Sequence, residues 1–123
     1  MKNLPKNLNL LTIRFPIPAI VSILHRVSGV LLFIFIPFAL WGLHLSLSSQ
    51  ESFDKLAEIL SMPFVSFITW AFLSAFIYHF VAGVRHLLMD IHIGEELSSG
   101  RFASYLTLLI STVLIILAGV WLW

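Results

Sequence analysis

The chain has 123 residues, of which 59% are hydrophobic and 11% charged, with a mean hydropathy of +1.01 and a formal net charge of +1. Soluble domains are about half apolar and about a quarter charged, so an ordinary soluble fold is excluded, and no basic field points to nucleic acid. The absence of cysteine removes both a disulfide framework and a thiolate-held iron–sulfur centre within the chain.

Residues 1–20 carry Lys2, Lys6 and Arg14 but no continuous apolar core and no small-residue cleavage pattern, so the first hydrophobic stretch is read as retained. Pro5, Pro16 and Pro18 predict an extended or broken arm rather than one helix. Leu8, Leu10, Leu11, Ile13, Phe15 and Ile17 give that arm apolar surface to lay along the membrane face or against a partner protein. Three charge-free stretches follow, residues 27–50, 59–84 and 102–123. Each exceeds the ~20 apolar residues that cross ~30 Å of hydrocarbon. The expectation is an all-α membrane protein, one anchor domain over residues 1–123, with spans at about 21–46, 61–86 and 102–123. Pro37 falls inside the first span and predicts a kink. Ser46, Ser48 and Ser49, and later Ser98, Ser99 and Gly100, read as turn chemistry. No room remains for a soluble catalytic domain, so any chemistry occurs in or at the bilayer, with help from partners.

Charge sets the topology. Lys2, Lys6, Arg14 and Arg26 precede or open the first span, Arg85 and Arg101 flank the loop between the second and third, and only Lys55 lies in the other loop. Three crossings therefore put six of the seven basic residues on one side. The positive-inside rule makes that side the cytoplasm, or the matrix in a mitochondrion, with the N-terminus in and the C-terminus out. Trp41, Trp121 and Trp123 fall near outer span ends as an aromatic belt predicts, whereas Trp70 lies deeper.

Ionisable groups at membrane depth are expensive and point to function. In one cluster, Ser22, His25, Arg26 and Gly29 fit an arc of roughly 100° on a helix, with Ser28 beside them. Arg26 snorkelling to lipid phosphates accounts for part of it equally well. In the second cluster, His79, Gly83, His86 and Asp90 follow i, i+4, i+7, i+11 within about 60°. His79 lies about 9 Å inside the first charge after the span, Arg85. An axial histidine, clearance at Gly83 and a cationic rim at Arg85 and His86 suit a haem lying in a helix bundle. An interhelical hydrogen bond or a proton path suits His79 as well, and close helix packing suits Gly83. Asp90 caps the span or docks a soluble partner, while His44 and His92 carry no special role. No second histidine lies at matching depth, so a six-coordinate haem needs its other ligand from another chain.

Ser22-x-x-His25-Arg26-x-Ser28-Gly29, followed by His79-x-x-x-Gly83-x-Arg85-His86-Leu87-x-x-Asp90, closely resembles the larger cytochrome b membrane-anchor subunit of succinate dehydrogenase. The resemblance runs from about Asn7 to Trp123 and includes Arg14-Phe15-Pro16. It implies half of a heterodimeric haem- and quinone-binding bundle, placed in the bacterial inner membrane. It implies a haem b bound axially by His79 and by a histidine of a smaller hydrophobic anchor subunit. It implies Ser22 and Arg26 at a ubiquinone site, and His25, Arg26 and His86 near the haem propionates. A flavoprotein that oxidises succinate and an iron–sulfur protein would deliver the electrons, so the chain has no succinate chemistry of its own.

Three other readings compete. A related anchor serves quinol:fumarate reductase, running in reverse. A small homo-oligomeric transporter or proton-path protein would use His79 and Arg26 to line its path. A purely structural anchor would carry a vestigial haem site.

Overall fold

A computed structural model describes residue 9 and residues 11–123. The reading of Lys2, Pro5, Lys6, Leu8 and Leu10 as part of a membrane-face arm lies outside the described residues. Four helices follow in chain order: α1 (Ile17–Ser48), α2 (Gln50–Ser61), α3 (Pro63–Asp90) and α4 (Leu97–Leu122). Three of them, α1, α3 and α4, are long and apolar enough to cross a membrane. The chain is an all-helical, multi-pass membrane bundle.

The helix boundaries follow from local chemistry. Residues 13–16 form no regular element, and α1 opens at Ile17, inside the stretch read above as arm. Pro16 is extended at the N-cap and Pro18 sits in the first turn. There a missing N–H costs nothing, because first-turn donors have no intrahelical acceptor. Helix α1 then continues through Pro37 to Ser48.

The connection expected between the first two spans holds a helix instead. Ser49 caps α2, its hydroxyl accepting from the Ser52 N–H at 3.0 Å. Glu51 in the first turn complements the helix dipole. Leu56, Ile59 and Leu60 line a hollow shared with Phe38 and Trp41 of α1 and Phe72 of α3. The charged residues Glu51, Asp54, Lys55 and Glu58 are exposed. Ser66 of α3 donates to the Leu60 carbonyl at 2.7 Å and joins the end of α2 to the next span.

Helix α3 is the hub, packing against both α1 and α4, while α1 also touches α4. The interior is inverted relative to a soluble bundle. Among the described residues the buried hydrophobics are Val21 and Ala82, whereas Ser28, Ser66, Arg85, Ser104, Thr107 and Ser111 are buried polar residues. Gly100, Ser104, Thr107 and Ser111 form one stripe on α4. Small side chains let membrane helices approach closely, and Ser104 and Thr107 satisfy their hydroxyls on the carbonyls of Gly100 and Ala103. Trp70 locks the other end of the α3–α4 contact. Its indole N–H donates to the Ile115 carbonyl at 3.0 Å, over Gly119, where a Cβ would stand 3.1 Å from Nε1. Phe33, Phe80 and Trp121 are exposed, as befits surfaces facing lipid or another membrane chain.

Candidate functional site

The two polar clusters of the sequence meet where α1 crosses α3. His79 Nδ1 lies 3.0 Å from Ser28 Oγ and 3.1 Å from the His25 carbonyl oxygen. Ser28 donates its hydroxyl proton to that same carbonyl at 2.7 Å. A hydroxyl has a single proton, so both atoms facing Nδ1 are acceptors. The geometry thus asks for a proton on Nδ1, and the neutral ring of that tautomer would carry its lone pair on Nε2. Gly29 makes room for the ring, since a Cβ there would stand 3.1 Å from His79 Cε1. The His25 imidazole stacks on His79 with centroids 4.3 Å apart and planes 19° from parallel, so a second histidine does lie at the depth of His79, against the expectation from the sequence.

His79 borders a groove of about 380 Å³ lined also by His25, Phe80, Gly83, Val84, His86 and Leu87. Gly83 lies on the wall of this groove, and a Cβ added to it would meet His25 Nε2 at 3.6 Å, ordinary contact. A flat apolar cofactor with polar substituents fits that lining. Among the described residues no group of three or more His, Cys, Asp or Glu side chains can hold a bare metal ion. One imidazole with a free Nε2 instead suits an iron that brings its own equatorial nitrogens. The hydrogen bonds at Nδ1 are the outer support that such a ligand uses.

A second cavity, of about 260 Å³, shares the lining residues His25 and His86, whose centroids are 6.2 Å apart. Ser22, His25, Ala82, Arg85, His86 and Met89 line it. Ser22, His25 and His86 are thus brought together. Arg26 is exposed and is not among the residues lining either space. Asp90 is exposed at the end of α3 and makes no ion pair among the described residues.

Arg85 requires a correction. The sequence reading put it near the surface, at a rim, but it is 9% exposed and its buried Nε has no hydrogen-bond partner. Its position explains this: Tyr78, Ala82 and Arg85 follow i, i+4, i+7 and so share a helix face, the face on which the Tyr78 hydroxyl donates to the Val21 carbonyl of α1 at 2.8 Å. Tyr78 and the Ser28 link went unassigned in the sequence. The only signal for Tyr78 was its spacing from Ala82 and Arg85, and that for Ser28 was its place beside His25. His92, with a φ of 65°, pairs with Glu95 at 2.9 Å in the exposed loop before α4.

Comparison with known proteins places the sequence among relatives. The family model described as succinate dehydrogenase/fumarate reductase transmembrane subunit matches residues 1–118. The chain is 41% identical over 120 residues to the succinate dehydrogenase cytochrome b556 subunit of Coxiella burnetii, covering 97% of this chain and 96% of that one. It is 32% identical to the protein of the same name from Rickettsia bellii, over 89% of this chain and 86% of that one. The corresponding subunit of Paracoccus denitrificans is 31% identical over 94% of this chain and 88% of its own length.

Proposed function

The chain belongs to the succinate dehydrogenase/fumarate reductase transmembrane-subunit family, and from that premise we propose that it is the haem b-bearing membrane anchor of a succinate dehydrogenase that reduces ubiquinone. The observation that carries the reading is the state of His79. Its Nδ1 lies against the His25 carbonyl and Ser28 Oγ, which steadies the ring at an apolar groove and supports the reading of Nε2 as a ligand atom. Haem b, when bound, supplies a one-electron carrier within the membrane.

The roles of the chain's own residues follow from their positions. His79 would hold the haem iron through its imidazole, together with a histidine of the smaller anchor subunit. The acceptors on Nδ1 make the imidazole a stronger donor and stop it from rotating. Gly83, Phe80, Val84 and Leu87 give a flat ring a smooth apolar wall. His25 and His86, which line the same groove, with Arg26 nearby in sequence, offer donors to propionate carboxylates. Ser22, which lines the second cavity, serves the quinone head group, and the family resemblance adds Arg26 there although it is exposed and lines neither space. A hydroxyl at a quinone carbonyl contributes a hydrogen bond that grows stronger as the oxygen gains charge, which favours the reduced form. Succinate oxidation belongs to a flavoprotein, and electrons reach the membrane through an iron–sulfur protein docked on the basic, cytoplasmic side. The chain sits in the bacterial inner membrane with its N-terminus inside and its C-terminus outside.

Purification of the tagged chain from its native membrane in mild detergent tests this reading. The expected result is co-purification of a second small hydrophobic chain, a flavoprotein and an iron–sulfur protein, with succinate-dependent reduction of a short-chain ubiquinone. A chain recovered only as a homo-oligomer, without succinate-dependent reduction, contradicts it.

A further inference from the structure

Arg85 is 9% exposed, and among the described residues its buried Nε has no hydrogen-bond partner and no carboxylate lines the cavity it borders. A guanidinium is always charged and carries five donors and no acceptor. Buried charges in proteins are paired, because an unpaired one gives up its hydration for nothing. Asp90, Glu95 and Glu96, the acidic residues closest in sequence, are all exposed. Among the described residues nothing accepts from Arg85 Nε, which leaves it open to an acceptor from a bound molecule.

The cavity says what kind of acceptor fits. Its lining combines Ser22, His25, Arg85 and His86 as polar groups with Val21, Ala82 and Met89 as apolar ones. At about 260 Å³ it falls just below the ~300–1,000 Å³ of whole-ligand pockets, room for one substituted ring rather than a long tail. It is separate from the His79 groove, because Arg85 and Ser22 do not line the groove, and His79 and Gly83 do not line the cavity. His25 and His86 line both.

We propose that Arg85 is a substrate-binding residue of the Ser22 cavity, donating to a carbonyl oxygen of the quinone head group that Ser22 also faces. Being permanently charged, it stabilises negative charge that develops on that oxygen without giving up a proton itself. The protons of quinol formation come from other groups. This inference rests on the ubiquinone-reducing reading above.

Arg85→Lys in the assembled complex is the test, with rates normalised to succinate oxidation by an artificial acceptor. One lost charged hydrogen bond is expected to raise KM for a short-chain ubiquinone about tenfold, with the haem spectrum unchanged. An unchanged quinone KM overturns the proposal. So does a displaced haem spectrum with unchanged KM, which would put Arg85 at a propionate instead. Should Arg85→Lys fail to assemble, Ala19→Phe fills the same cavity from the first turn of α1. It too must raise the quinone KM, and an unchanged value overturns the proposal. A wild-type complex that oxidises succinate but reduces no quinone instead overturns the underlying reading.

Discussion

Gly29 and His79 are so closely opposed that a Cβ on the glycine would stand 3.1 Å from the imidazole Cε1. That approach lets the His79 ring reach the Ser28 hydroxyl and the His25 carbonyl together. Gly29→Ala is expected to push the ring off these acceptors. Overpacking of this kind costs about 1–3 kcal/mol, so haem occupancy of the purified complex should fall. A pyridine haemochrome assay against protein content measures it, and full occupancy would show that the ring has room to spare.

Ser28→Ala removes one acceptor from Nδ1 and leaves the His25 carbonyl in place. The tautomer is kept, so the axial bond should survive. With less electron density pushed toward the iron, the oxidised state is less favoured and the haem midpoint potential should rise. Loss of outer support typically costs 10–100-fold in metal affinity. A potentiometric titration checks the sign, and an unchanged or lowered potential contradicts it.

Trp70 predicts a stability effect separate from the cofactor. Trp70→Phe deletes the indole donor to the Ile115 carbonyl and should cost about 1 kcal/mol. The haem spectrum should stay as in the native protein. Gly119→Val should cost more, because its branched side chain collides with the indole that packs at 3.1 Å from the Cβ position. Thermal unfolding in detergent, followed together with the haem band, separates the two effects.

The topology can be read directly because the sequence contains no cysteine. Asp54→Cys on α2 should react with a membrane-impermeant thiol reagent in intact cells stripped of their outer membrane. Arg101→Cys, at the start of α4, should react only after the cytoplasmic membrane is opened. The reverse pattern would invert the orientation derived from charge.

Much of the anchor was legible in the sequence because bilayer thickness leaves long charge-free runs, and because membrane-depth histidines and arginines are rare enough to stand out. His25, His79 and Gly83 were singled out by helical spacing, and the structure brings them to one groove. Helix α2 was not legible. Its twelve residues carry Glu51, Asp54, Lys55 and Glu58, which read as a loop, and its short apolar face gains meaning only from the hollow beside Phe38 and Trp41. The burial of Arg85 was hidden for a different reason. In a lipid-facing bundle apolar residues lie outside, so hydrophobic periodicity marks the wrong face, and the true interior is written in Ser, Thr and Ala. The Ser28–His79 link depends on how α1 crosses α3, which no local pattern encodes.

The most direct test of His79 as a haem ligand is a dithionite-reduced minus oxidised spectrum of the solubilised complex, native against His79→Ala. The native complex should show a b-type α band, and the variant should lose it or displace it. An assembled His79→Ala complex with the native band unaltered would contradict the central claim, since no iron bound through His79 could remain indifferent to its removal.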